Sequence, residues 1–347
     1  MNDQGIPAGG VGPTAPADGV SPTAPAVSVI VPVRDRRQLL RQCLDGLAAQ
    51  TRADHEVIVI DDGSADGSAA EAEADADAGR PVRLLRTPGV GAVGARLLGV
   101  EASRAPVLAF TDSDCVPSPR WLECGLEAVN GGAEVVTGPT WPAGHARPLE
   151  RTLASDGRDG LYATSNIFFR RDTYAAAGGF DPGAGARFGF RPGRVLAGTG
   201  FGEDSLLAWR VRRNGGRVEV CEEAVVRHHV FPADPAESIR RAWGAGAFPA
   251  LVREIPELRT TFLVGRWFLG GPWRLGLYAG AAAGLLRRPR LAGAGLAVWA
   301  LWRGRISLAT EPSRRRALWS VPADLGVDAL TGAALVVGSV RHRSVVL

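Results

Sequence analysis

The sequence predicts an α/β fold built on a parallel sheet, and three observations lead there. From Val27 onward, short apolar runs alternate with helix-length segments. Two of those runs end in aspartates, as strands do when their carboxyl ends line a ligand cleft. At 347 residues and 46% hydrophobic, the chain can bury a full core and a second module.

VSVIVPV at 27–33 reads as a buried first strand. Asp35 is expected to cap the next helix, where Leu39, Leu40, Cys43, Leu44 and Leu47 share one face. VIVI at 57–60 is the second strand and ends in Asp61-Asp62-Gly63-Ser64. The Ala-rich, acidic stretch that follows reads as a solvated helix. VRLL at 82–85 gives a third strand, VGARLLGVEAS a third helix, and VLAFT at 107–111 a fourth strand running straight into Asp112. Ser118-Pro119 is expected to open the next helix, with proline at its first position.

All 40 basic residues are arginine, and they are unevenly placed. Residues 227–347 hold 17 Arg against 7 Asp plus Glu, a net of +10, whereas residues 1–226 hold 23 against 29, a net of −6. The basic half interrupts apolar, Trp-rich stretches, which points to an anionic membrane surface and not to nucleic acid. Cys43, Cys115, Cys124 and Cys221 form no CxxC pair, which fits a reducing, cytoplasmic location. Residues 1–26 have neither a basic n-region nor an apolar h-region and read as a disordered leader. No GxGxxG follows the first strand and no GxxxxGK[ST] occurs, so dinucleotide and P-loop classes are excluded.

Asp112-Ser113-Asp114 is the central motif. An isolated Asp-x-Asp is usually a solvated loop or helix cap. Here it follows a buried strand, and a hard divalent cation such as Mg²⁺ or Mn²⁺ takes carboxylate oxygens together with substrate phosphate oxygens. A cation so held neutralises charge on a departing nucleoside diphosphate. Glu203-Asp204 opens a helix bearing Leu206, Leu207 and Val211, where acidic residues also suit the positive end of the helix dipole.

The ordered set VSVIVPVRD, VIVIDDGSADGS, VGARLLG, FTDSDCVPSPRWLE, TSNIFFRRDTYAAAGGFD and GFGEDSLLAWRVRRNGG resembles the family 2 glycosyltransferases across residues 27–230. The resemblance implies a GT-A fold, Rossmann-like, with a mixed sheet and helices on both faces. It implies that Asp62, with Asp61, contacts the base or ribose of a nucleotide-sugar donor, and that Arg96 lies near it. Asp112, Ser113 and Asp114 would serve ribose, diphosphate and metal, with Asp114 the direct ligand. Asp204, beside Glu203, would be the base of an inverting single displacement. Asn166 would lie on the acceptor side, and a histidine near His228 and His229 would complete the metal shell; strand alternation puts those two on opposite faces. The family's first strand commonly ends in Pro-x-Tyr-Asn, whereas this chain has Pro32-Val33-Arg34-Asp35, so the Arg34 guanidinium is expected to replace the aromatic partner of the base.

Residues 183–202, rich in glycine and carrying Arg187, Arg191 and Arg194, read either as a disordered surface loop or as a lid in which an arginine such as Arg191 meets phosphate. Trp121 and Trp209 read as core. Apolar segments at 275–286 and 291–302, each about 12 residues and split by Arg287-Arg288-Pro289-Arg290, are too short to span a bilayer, which needs about 20. They read as an interfacial or re-entrant hairpin, or else as two soluble helices packed on the catalytic domain, and the final stretch as a surface-lying helix. The expected organisation is thus a leader at 1–26, a catalytic domain at 27–232, and a basic, Trp-rich helical extension at 233–347 on the inner face of a membrane. Two rivals remain: a noncatalytic nucleotide-sugar-binding or membrane-recruitment protein, and a sugar-phosphate nucleotidyltransferase. The second would need a Gly-rich N-terminal loop with a basic residue, which VSVIVPVRDRR does not supply.

Overall fold

The computed structural model describes residues 24–147, 149–189, 200–311 and 313–347, so the expected leader lies outside it up to residue 23. The strands are β1 (Val27–Val33), β2 (His55–Asp61), β3 (Val82–Arg86), β4 (Val107–Phe110), β5 (Cys115–Pro117), β6 (Val135–Thr137), β7 (Thr140–Pro142), β8 (Ile167–Arg170), β9 (Val218–Val220) and β10 (Val226–His228). The helices used below are α1 (Arg37–Ala48), α2 (Ser68–Asp77), α3 (Gly91–Ala102), α4 (Trp121–Asn130), α5 (Arg171–Ala176), α6 (Ala184–Arg187), α7 (Glu203–Arg213), α8 (Pro235–Gly244), α9 (Phe248–Glu254), α10 (Leu258–Thr261), α11 (Arg274–Leu285), α12 (Pro289–Thr310) and α13 (Arg314–His342).

Seven strands form one sheet in the order β3-β2-β1-β4-β8-β6-β9, parallel except where β8 runs against β4 and β6. Side-chain alternation along the strands builds two cores. Val27, Val29, Val31 and Val33 of β1 pack with Leu40, Cys43, Leu44 and Leu47 of α1 and with Trp121 of α4. Ile30, with Ile58 and Ile60 of β2, faces the other way, toward Ala95 of α3, Leu207 and Trp209 of α7, and the C-terminal helices. Trp121 and Trp209 are core residues, as their sequence setting suggests.

Four local expectations change. Asp35 does not cap α1: it sits at φ +49° and its Oδ1 accepts from the Ala65 N–H, while Asp66 Oδ2 accepts from the Arg37 N–H. Helix α4 opens at Trp121 and not at Pro119, because Ser118 O accepts the Trp121 N–H in a turn and Gln50 Oε1 caps Leu122. The segment after Asp112-Ser113-Asp114 is strand β5, which joins β10 and β7 in a second sheet of order β5-β10-β7. The acidic helix α2 is anchored as well as solvated: Asp75 is buried and accepts from both Arg41 and Arg80.

The C-terminal helices depart furthest. Helix α12 runs for 22 residues, because Trp302-Arg303-Gly304-Arg305 continues it. It packs on α11 at backbone distance: a Cβ on Gly276 would lie 2.7 Å from the Gly295 carbonyl oxygen. Helix α13 is not a surface-lying helix. It packs on α8, α9, α11 and α12, and its Leu335 belongs to the main core. Its stretch Ser320–His342 is long and apolar enough to cross a membrane by length and composition, and 39% of it is buried against protein.

Two acidic residues fix α13 in place. Asp324 pairs with Arg303 at 2.9 Å, and Asp328 pairs with Arg274 at 3.0 Å while accepting from the indoles of Trp273 and Trp299 at 3.2 and 3.1 Å. Removing Asp328 leaves the Arg274 guanidinium without its carboxylate, held only by the Leu269 carbonyl, and two indole N–H groups without an acceptor. Asp328→Ala is therefore expected to lower the unfolding free energy by about 3–5 kcal/mol, read from denaturant titration followed by circular dichroism.

Candidate active site

The sheet order reverses between β1 and β4, so the connections after these strands diverge and leave a crevice at their carboxyl ends. A cleft of about 500 Å³ opens there. Pro32, Arg34, Asp62, Asp112, Ser113, Asp114, Glu203, Asp204 and His228 line it.

Asp62 organises its own wall of the cleft. It accepts from Thr87 Oγ1, from the Val90 N–H at 2.6 Å and from the Gly91 N–H at 2.8 Å, so a carboxylate meets the free donors at the start of α3. Burial alone raises the Asp62 carboxyl, but these bonds and the Arg34 charge hold it below its ordinary value. Asp61 accepts from the Ser64 N–H and closes the turn behind it.

Arg96 of α3 is buried beneath the middle of the cleft. Its guanidinium lies 2.6 Å from Asp112 Oδ1 and 3.7 Å from Glu203 Oε1, joining the end of β4 to the start of α7. Glu203 is itself 3% exposed, and among the described residues its Oε2 has no hydrogen-bond partner. Burial raises its carboxyl, although Arg96 opposes this.

Asp114 gathers a different set. Arg36 lies 2.5 Å from Asp114 Oδ2, and His228 Nε2 lies 3.7 Å from the same oxygen. His228 Nδ1 lies 2.7 Å from the His229 carbonyl oxygen and 3.3 Å from the Leu153 N–H; the shorter contact, to an oxygen that only accepts, favours the ring proton on Nδ1, and Nε2 lies on the Asp114 side. His229 turns its ring to Phe231, with centroids 4.8 Å apart, and burial lowers its pKa. Ligand atoms of Asp114, Cys115 and His228 all lie within 4.8 Å of one another. Burial, and then the Asp112 and Asp114 charges, push the Cys115 thiol well above its ordinary value, while Asp114 and His228 offer an oxygen and a nitrogen donor. That set fits a divalent cation of intermediate hardness.

Asp204 faces the cleft from the first turn of α7, which Gly202 starts at φ +78°. Its Oδ2 accepts from the Thr164 N–H at 3.2 Å and its Oδ1 from the Ser205 N–H at 2.8 Å. Burial, and then the Glu203 charge, push its carboxyl up to about 7.

Residues 28–186 match the family described as Glycosyl transferase family 2. The glycosyltransferase AglE of Haloferax volcanii is 32% identical over 263 residues, which cover 71% of this chain and 80% of that protein. Among solved structures, the mannosyltransferase PcManGT of Pyrobaculum calidifontis, in complex with GDP-Man and Mn²⁺, superposes with a TM-score of 0.55 at 20% identity, over 91% of this chain and 87% of that one. The fold is the GT-A fold. The chain belongs to glycosyltransferase family 2.

Pro32, Arg34, Asp62, Arg96, Asp112, Ser113, Asp114, Glu203, Asp204 and His228 line one cleft; Asp61 and His229 are not among its lining residues. Arg191 and Arg194 of the expected lid lie outside the described residues, and Arg187 pairs with Asp181. Arg36, Thr87, Arg151 and Thr164 were not anticipated, because they reach the site only through the fold. Asn166 is corrected. It is 1% exposed, its amide donates to Pro139 O and Ala224 O, and its Oδ1 accepts from Trp121 Nε1, so it has no group left for an acceptor hydroxyl. Asn166→Ala is expected to cost about 3 kcal/mol of stability by orphaning those partners, with nucleoside diphosphate affinity unchanged in the folded fraction. Chemical denaturation and calorimetry read the two effects.

Proposed function

We propose that this family 2 enzyme is an inverting glycosyltransferase that moves a sugar from a nucleotide-diphosphate donor to an acceptor hydroxyl, assisted by a divalent cation. One observation carries the reading: a carboxylate pair at the end of β4 and a separate carboxylate at the start of α7 face the same cleft, joined underneath by Arg96. Two sites of negative charge with different environments suit two different tasks.

In this account the donor lies along the ends of β1, β2 and β4. Its base rests near Pro32, Arg34 and Asp62, its ribose at Asp112 and Ser113, and its diphosphate at Asp114. Asp114 and His228 would hold the cation, which neutralises the charge that develops on the departing diphosphate. The nitrogen donor of His228 favours Mn²⁺ over Mg²⁺. Support for a cation and a nucleotide sugar also comes from the PcManGT structure, which contains Mn²⁺ and GDP-Man.

Asp204 acts as base. Its carboxylate takes the proton of the acceptor hydroxyl as that oxygen bonds to the anomeric carbon and the bond to diphosphate breaks, which inverts the centre. Thr164 and Ser205 hold the carboxylate in place through their N–H groups. Glu203 keeps the Asp204 carboxyl high and so makes it a stronger base.

The C-terminal helices suit a peripheral position on the inner face of a membrane. Leu285, Leu286, Leu291, Val298, Leu301 and Trp302 are exposed on α11, α12 and the turn between them, where Arg287, Arg288 and Arg290 sit. Cell-envelope glycan, glycolipid and small-molecule glycoside synthesis all fit such a transferase.

Asp204→Asn is expected to lower kcat about a thousandfold and leave donor KM within about twofold, by the usual worth of a general base. In the wild type the base works only as a carboxylate, so kcat should rise with pH through about 7 and then level off. A flat profile, or equal loss of donor affinity in the variant, removes Asp204 as base. Flotation with vesicles containing anionic lipid tests the membrane position. Arg287, Arg288 and Arg290 changed together to Gln should release the protein from the vesicles, and a wild type that never floats refutes it.

A further inference from the structure

The arginines lining the cleft differ in one respect. Arg96 is held by Asp112 and Glu203, Arg36 by Asp114, and Arg34 stands 4.0 Å from Asp35. Arg151 also lines the cleft, yet among the described residues its guanidinium has no carboxylate within ion-pair distance and no hydrogen bond. It is half-buried and rests on the Phe231 ring, 3.7 Å from the centroid. The seat is rigid: Arg151 and Phe231 exchange both backbone hydrogen bonds, at 3.1 and 2.8 Å. Arg36 approaches the same ring at 4.7 Å, so two guanidiniums share one aromatic residue beside Asp114.

Two cations so close repel, and burial adds to the cost of leaving one of them without a counter-ion. A fork of five N–H donors, fixed against a ring and open to a cleft, is matched by the oxygens of a phosphate. The position agrees. Thr152, the next residue, touches His228 at 3.2 Å, and His228 adjoins Asp114. An oxyanion at Arg151 therefore lies beside the place where the diphosphate leaves.

We infer that Arg151, seated on Phe231 with Arg36 alongside, is a phosphate receptor of this cleft. The inference rests on the transferase reading above and adds a residue that the motifs do not contain. The phosphate has two sources, the donor's own diphosphate or a phosphate carried by the acceptor, as on a polyprenyl phosphate or a sugar phosphate.

Calorimetry on the full chain with Mn²⁺ separates them. Wild type, Arg151→Gln and Arg151→Lys are titrated with UDP, GDP and the matching nucleosides, then, saturated with the diphosphate that binds, with farnesyl phosphate and glucose 1-phosphate. If the source is the donor, Arg151→Gln weakens the nucleoside diphosphate about tenfold, the worth of a charge-assisted bond, and leaves the nucleoside unchanged. If the source is the acceptor, diphosphate affinity holds and one of the phosphate probes loses about tenfold, lipid and soluble sources being told apart by which. In either case Arg151→Lys recovers part of the loss, because it restores charge without the fork. Equal binding of every probe by wild type and Arg151→Gln overturns the inference and leaves the transferase reading standing. A wild type that binds neither UDP nor GDP overturns that reading as well. Matching thermal unfolding of the three proteins separates lost binding from lost structure.

Discussion

The buried guanidinium of Arg96 is the constraint around which the catalytic half is arranged. A positive charge with 6% exposure is tolerable only if carboxylates surround it, and two do so from opposite sides of the cleft. Asp112 comes from the end of β4, and Glu203 from the first turn of α7, some 90 residues later in the chain. Their meeting at Arg96 sets the distance between the carboxylates at the end of β4 and those at the start of α7 in the folded chain. It also explains why Asp204 can be held in an environment that raises its pKa: the neighbouring Glu203 is already committed to the interior. Preorganisation of this kind moves the cost of assembling the site from the reaction to the folding of the protein.

The strands and the acidic residues were legible because each announces itself locally. VSVIVPV has the composition of a strand buried on both faces, and Asp62, Asp112 and Asp114 follow strands at positions where strand geometry aims them at a crevice. Glu203-Asp204 was legible as a helix start. What the sequence hides is everything carried by long-range pairing. Arg36 reaches Asp114 across 78 positions, and Arg151 reaches Phe231 through a two-residue bridge between loops. Asn166 shows the opposite error. Its place in a family-like segment suggested sugar contact, but a buried side-chain amide set between the Trp121 indole and the Pro139 and Ala224 carbonyls becomes their shared partner, and that requirement is invisible in one dimension.

The C-terminal helices illustrate a related limit. Period and hydropathy located the apolar segments, yet Arg303 and Arg305 looked like an end to the second of them. Within the fold Arg303 finds Asp324 on α13, so the helix continues through the charge. Asp328 does the same for Arg274. Charges that seem to bound an apolar stretch can instead be the pegs that register one helix against another.

The two cores of the sheet differ in what completes them. One is closed by α1, α2 and α4, all drawn from the first 130 residues. The other takes in Leu251, Leu258, Leu335 and Val346, side chains from the far end of the chain. The face of the sheet that carries Ile30 and Phe110 is therefore not finished until the last residues are in place. For anyone recombining such proteins, the boundary that matters is not the end of the sequence motifs. The face covered by α1, α2 and α4 can be exchanged on its own, but the other face travels with its helices, and a chimera cut after β10 inherits an open interior.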